Sequence, residues 1–434
     1  MKLELVNFPV KDVRFSKNTN YKDGVLEIDR EELVTLVLED KGIASADLDV
    51  TFPGEQTRIV NVRDVVEPRI KVTGLGCVFP GILGPVETMG EGRTHRLSGV
   101  TVICSAQYNP TILSGTAAQN SSIVDMWGIA KDVSPFGSTI NIVLILRLVD
   151  GLAEIEAHAA IQLAEFKVAR RLAETTRYII SDDLEGFELF EVTPNLPRVV
   201  YIAGFLTNQD APHSGISYYG LPIRESLPTF MHPNEFLDGA LTTDARKGSS
   251  SYTDTWGWMN HPVILGLLRE HGKRLNFLGV ILQRTRFEAE HGNHVIAQGT
   301  SQLASLLGAE GAIITRTVPS GANFLNVMLT VQACEKKGIK TVLLTPEWGG
   351  SDGTELPLVY YVPEATAMVS TGTTDREFKV PAPAKVIGAR PEELVQLELG
   401  NPPLSPFNEL TLGEAYITGA SDWWGRGYYT CETY

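Results

Sequence analysis

Apolar residues keep one spacing in the first part of this chain and another beyond it. Up to Val149 they form short runs separated by turn residues. Residues 25–28, 48–52, 58–62, 69–73 and 100–104 read as strands, punctuated by Lys22-Asp23-Gly24 and Pro53-Gly54. Residues 140–149 read as a buried strand whose apolar run is broken only by Asn141 and Arg147. Residues 152–177 carry Ala, Leu and Ile at helical spacing with charges opposite, which predicts one long helix. Pro194-Asn195-Leu196-Pro197 then marks a boundary. Past it, near-continuous Val/Ile/Leu runs at 198–203, 276–282, 311–315 and 340–344 alternate with helical patterns at 262–271, 297–307 and 323–337.

Strands of that kind, alternating with helices, belong to a parallel sheet covered on both faces. The expected fold is therefore α/β: a β-rich N-terminal domain over 1–195, with its long helix, precedes a doubly wound, mostly parallel domain over 196–390. Residues 391–434 are expected to dock on the chain or on a partner, because Asp422-Trp423-Trp424-Gly425-Arg426-Gly427-Tyr428-Tyr429 is rich in the residues of interface hot spots. Ligands of doubly wound sheets collect at the carboxyl ends of the strands. Three loops leave those ends, at 207–220, 283–293 and 345–353.

Charge and cysteine content narrow the function. A net charge of -15 over 434 residues argues against a surface that neutralises nucleic-acid phosphates. No apolar run approaches the roughly 20 residues that span a bilayer, and the N-terminus has none suited to a signal peptide. Four cysteines, Cys77, Cys104, Cys334 and Cys431, are widely spaced, which supports neither a disulfide framework nor a structural zinc site. A cytoplasmic enzyme or enzyme subunit is expected. Gly74-Leu75-Gly76-Cys77-Val78-Phe79-Pro80-Gly81 is Gly-rich but lacks the dinucleotide fingerprint and a following helix start.

Several blocks recur in order along the chain: Lys22-Asp23-Gly24-Val25-Leu26, Val66-Glu67-Pro68-Arg69-Ile70-Lys71-Val72, Phe79-Pro80-Gly81 and Gly90-Glu91-Gly92-Arg93-Thr94-His95. They continue with residues 228–240, Asn260-His261-Pro262-Val263-Ile264, residues 271–281, Gly338-Ile339-Lys340-Thr341-Val342, Glu347 with Gly350, and Ile417-Thr418-Gly419-Ala420. In these the chain resembles the alpha/beta-subunit precursor of component B of the glycine, sarcosine and betaine reductases. The resemblance implies a precursor that cuts itself at a cysteine to leave a pyruvoyl group. It also implies a second subunit, usually bearing selenocysteine, that displaces the substrate's amino group from its α-carbon. A pyruvoyl ketone improves an amine as a leaving group by forming a Schiff base.

The loop Asp244-Ala245-Arg246-Lys247-Gly248-Ser249-Ser250-Ser251 departs from that pattern. Arg246 aligns with the family's cysteine, and no cysteine lies between Cys104 and Cys334. Ser249 offers another route to pyruvoyl, through an ester and β-elimination; a plain Gly/Ser turn is the alternative. An intact loop is the expectation, with Arg246 or Lys247 holding a substrate carboxylate, Arg246 through its planar fork. His213 matches a family histidine; it is either an acid or base near neutral pH or a surface hydrogen-bonding group. Glu347 matches a family glutamate, suited to orienting an amine or to capping a helix.

Glu288-Ala289-Glu290-His291-Gly292-Asn293-His294 is foreign to the family pattern. His291, His294 and Glu290 suit zinc or another divalent metal, with His213 or Glu347 as a further ligand, although Gly292-Asn293 disfavours a regular helix and a chance charged string is the alternative. The first expectation is a subunit of a heteromeric enzyme that acts on the C–N bond of a small amino- or amide-containing substrate, without pyruvoyl. The alternatives are a metal- or carboxylate-dependent amide or C–N hydrolase subunit and a non-catalytic scaffold subunit.

Overall fold

The computed structural model describes residues 1–107, 122–207, 215–223, 225–243, 253–286, 290–317, 321–347, 350, 358–392 and 404–426. The fold is mixed α/β, built on several sheets.

Two four-stranded sheets occupy the N-terminal part. One runs Leu184–Glu188, Lys2–Pro9, Gly92–Ser98, Arg69–Thr73; the other runs Ile43–Thr51, Ile140–Leu148, Val100–Gln107, Val62–Val66. The continuous strand expected at 58–62 is two strands, Thr57–Ile59 and Val62–Val66. Asn61 breaks it by taking the left-handed conformation (φ 56°), which asparagine tolerates better than most residues. A helix not expected from periodicity, α1 (Arg30–Leu38), starts where the Asp29 carboxylate accepts the amide N–H groups of Glu31 and Glu32 at 3.0 and 3.1 Å. The long helix α2 (Glu154–Glu174) lays Ala157, Ile161, Ala164, Val168 and Leu172 on Val102, Leu144 and Leu146 of the second sheet.

Five parallel strands follow: β1 (Arg198–Leu206), β2 (Asn276–Thr285), β3 (Gly311–Arg316), β4 (Lys340–Glu347) and β5 (Met368–Thr373). Their order is β2-β1-β3-β4-β5, with Thr229–Met231 antiparallel on the outer edge of β2. Alternate residues of β1 serve opposite faces. Tyr201, Ala203 and Phe205 pack with Ile264, Leu267 and Leu268 of α3 (Pro262–Glu270). Val200 and Ile202 pack with Ala304 of α4 (Glu290–Leu306) and with Phe324, Val327 and Met328 of α5 (Gly321–Glu335). Burial on both faces explains the unbroken apolar runs. The winding direction reverses at β1, so the crevice above the ends of β1 and β3 is the sheet's switch point.

Past β5 the chain returns to the N-terminal strands. Lys385–Ile387 pairs in parallel with Thr57–Ile59, and Val380, Leu410, Leu412 and Ile417 share a core with Val60 and Ile123. Trp423 and Trp424 lie in the core of the parallel sheet's α3 face, so the described part of the tail docks on its own chain. No helix among the described residues is long and apolar enough to cross a membrane.

Candidate functional site

The carboxyl ends of the parallel strands carry polar side chains. Glu347 is the last residue of β4, and its Oε1 accepts the Ser370 hydroxyl of β5 at 2.5 Å. At the end of β1, the Thr207 N–H donates to the Thr285 carbonyl of β2 at 2.9 Å. The hydroxyls of Thr207 and Thr285 are buried and find no partner among the described residues.

His213, Arg246 and Ser249 lie outside the described residues, but the flanks of their segments are placed. Ile216 pairs with Thr243 in an antiparallel ladder, so the residues just after 208–214 and just before 244–252 are neighbours. On the far side of the second segment, the Thr243 hydroxyl donates to the Thr253 carbonyl, and the Thr243 N–H donates to the Thr255 hydroxyl at 2.9 Å. Thr255 in turn gives its N–H and its hydroxyl to the Asp64 carboxylate, the N–H at 2.8 Å. Gln162 of α2 donates to the Thr243 carbonyl at 3.0 Å.

Beneath these flanks lies a cavity of about 10 Å3 lined by Arg63, Asp64, His158, Gln162, Glu165 and Thr243. That volume suits about one water. Burial pushes the Asp64 carboxyl up to about 8 against the pull of the Thr255 hydrogen bonds, and nearby Asp254 raises it further. Burial raises Glu165 well above the usual carboxylate range, and its Oε1 has no hydrogen-bond partner. Buried carboxyls of this kind hold a proton at neutral pH and can pass it to a neighbour.

A larger pocket of about 500 Å3 lies between the end of the edge strand β5 and the second loop flank. Thr253 and Asp254 line it from the flank, Thr371 and Gly372 from β5, and Arg376, Trp424 and Arg426 from the returning chain. Its size is that of a small-molecule site. Asp254 caps the helix Thr255–Met259, accepting the Gly257 N–H at 2.6 Å, and burial lifts its carboxyl to about 6. Arg376 is tied to Glu414 at 2.9 Å. Arg426 lies over the Trp256 ring, 4.6 Å from its centroid.

Of the proposed metal residues, Glu290 and His294 form an exposed pair at 3.4 Å on α4, and His291 is exposed beside them. Gly292 and Asn293 do not interrupt the helix; Asn293 is buried under it. No group of three ligating side chains occurs among the described residues. The thiols of Cys104 and Cys334 are buried, which raises both, Cys334 to about 12. Neither is poised as a thiolate.

Sequence reasoning passed over Asp64, Glu165, Asp254, Thr371 and Arg426 as site residues. Glu165 left a signal: it sits one turn past Ile161 on the buried face of the helix. Asp254 precedes Thr255-Trp256 as a helix cap would. Asp64 and Thr371 left none, because strand polarity alone does not say which polar side chain is turned inward.

A family model described as glycine/sarcosine/betaine reductase component B subunits matches residues 1–403. Over its whole length the chain is 33% identical to the whole of the "Glycine reductase complex component B subunits alpha and beta" of Acetoanaerobium sticklandii. It is 32% identical to the "Sarcosine reductase complex component B subunit alpha" of Peptoclostridium acidaminophilum, over 89% of each chain. It is 33% identical to that organism's "Betaine reductase complex component B subunit alpha", over 89% of this chain and 88% of the relative. No solved structure matches.

Proposed function

We propose that this chain, which belongs to the glycine/sarcosine/betaine reductase component B family, binds a small nitrogenous substrate and presents its C–N bond to a second subunit of a reductase complex. The observation that carries the reading is the pocket of about 500 Å3 beside the end of β5, which reaches the flank of the segment where the family's cysteine falls. The substrates in the relatives' names, glycine, sarcosine and betaine, share a carboxymethyl group and differ in how far the nitrogen is methylated. A site for such molecules needs a cation for the carboxylate and an environment that holds a charged nitrogen.

Arg246 stands where the family has cysteine, so the chain is read as working without a pyruvoyl group, its 244–252 segment intact and Ser249 unprocessed. Of the described thiols, Cys104 and Cys334 are buried and Cys77 is half-buried, burial raises all three, and the nucleophile is assigned to the partner. That nucleophile attacks the α-carbon, and the amine leaves with the electron pair of the C–N bond. The amine takes up a proton, and a dithiol reductant then cleaves the bond between the nucleophile and the α-carbon, releasing the carboxymethyl group as acetate and restoring the nucleophile as the dithiol becomes a disulfide. His213 and Glu347 are assigned to proton transfer and amine orientation near the strand ends.

The test is the full chain together with its partner subunit and a dithiol reductant, assayed for amine release from glycine, sarcosine and betaine. Intact mass is measured on the same preparation. Amine release that needs both partner and reductant, from a chain of one mass spanning Met1–Tyr434, is expected. Two fragments meeting near Ser249 would restore the pyruvoyl mechanism. Metal-dependent amine release by the chain alone would replace reduction with hydrolysis and assign His291, His294 and Glu290 to a metal.

A further inference from the structure

We propose that Arg426 is the carboxylate anchor of the pocket beside the end of β5, and that Asp254 is the group that selects for a positively charged nitrogen. The inference rests on the reading of this pocket as the substrate site and adds the residues that choose the substrate.

The two side chains line one pocket without closing on each other. Arg426 spends its backbone N–H on Asp422 at 2.9 Å, while its guanidinium makes no hydrogen bond or ion pair among the described residues. It is held in place instead by the Trp256 ring beneath it. A guanidinium that is fixed, partly withdrawn from water and short of acceptors is suited to a bidentate carboxylate. The other lining cation, Arg376, already serves Glu414.

The anions of the lining differ in role. Asp132 is exposed, and Asp422 accepts the Trp424 and Arg426 N–H groups. Asp254 is only 8% exposed and faces the space directly. A third observation is independent of charge: Thr371, 7% exposed, lines the pocket with a hydroxyl that has no partner among the described residues. A buried hydroxyl is costly to leave unpaired, and a ligand oxygen beside the Arg426 fork would satisfy it.

The test is binding to the purified full chain, without partner or reductant. Acetate supplies the carboxylate alone, ethylammonium the nitrogen alone and glycine both; calorimetry is read alongside fluorescence of the tryptophans around the pocket. Glycine is expected to bind more tightly than acetate, and acetate more tightly than ethylammonium. Arg426→Gln should weaken glycine and acetate about tenfold or more, with Arg426→Lys between. Asp254→Asn should weaken glycine and leave acetate as tight or tighter. Each variant is first matched to the parent by circular dichroism; if Arg426→Gln does not fold, Arg426→Lys carries the comparison. Wild-type affinities in the arginine variant, or an unchanged glycine-to-acetate ratio in Asp254→Asn, overturn the assignment. Because no turnover is read, this assignment can stand while the reductase reading fails. Conversely, C–N cleavage by a complex that carries a fully active Arg426→Gln chain would end the assignment alone.

Discussion

Asp64 accepts two hydrogen bonds from Thr255 and has no ion pair among the described residues, which leaves burial as the largest influence on its ionisation. Its carboxyl is protonated in the folded chain up to about pH 8 and ionised in the unfolded chain above about pH 4. The folded state therefore binds the extra proton across that window, and stability falls as pH rises from about 4 to about 8, by up to about 1.4 kcal/mol per pH unit from this group. Glu165 and Asp254, both raised by burial, act in the same direction. Asp64→Asn keeps an oxygen for the Thr255 N–H and removes the titration. Urea midpoints across that window should decline less steeply in the variant than in the parent; parallel declines would show that Asp64 does not hold its proton. Such residues are hard to read from sequence, since Asp64 sits in Arg63-Asp64-Val65-Val66 like any edge-strand acid. What makes it unusual is Thr255, 191 positions away.

At the scale of elements, periodicity was most informative where burial is symmetrical. The runs within β1 to β4 stand at the expected places because both faces are covered, and each extends further toward its carboxyl end than its apolar run. Those extensions, Gln283-Arg284-Thr285, Arg316 and Thr345-Pro346-Glu347, are polar where the runs before them are apolar. Helix α4 starts seven residues before its apolar pattern, at Glu290, since its first turns are solvated. The end of the returning segment is packed through Trp424. Trp424 is stacked on His261 with centroids 3.9 Å apart and meets Trp258 edge-on at 5.0 Å. Trp424→Ala removes that buried indole at a cost of about 3–5 kcal/mol. Hydrogen exchange should then rise selectively over 417–426 and around α3, and the pocket should lose Arg426 along with it. Unchanged protection in the segment would mean that other contacts hold it.

The whole molecule is tied together by pairings between distant parts of the chain, which local patterns do not reveal. Arg58, fully buried, makes two 2.8 Å bonds to Asp125 and donates further to the carbonyls of Pro381, Pro406 and Asn408. Its strand pairs with Lys385–Ile387, and Asn61 reaches the Ala389 carbonyl. The β-rich part thus completes its third sheet with residues from beyond the parallel sheet, which also supply three of the acceptors of a buried cation otherwise paired with Asp125. A buried guanidinium that loses its acceptors costs several kcal/mol, of the order of the whole stability of a domain. A fragment of residues 1–195 is therefore expected to lack a cooperative melt and a dispersed NMR spectrum. Adding residues 377–434 in trans should restore part of both. A well-dispersed 1–195 fragment would show that the N-terminal part folds without the returning chain. The pocket would then be assembled by docking of separate domains. If the fragment fails, the pocket between Asp254, Thr371 and Arg426 forms only in a chain folded as one unit, and the segment that carries Arg426 is as much a part of the site as the strands beneath it.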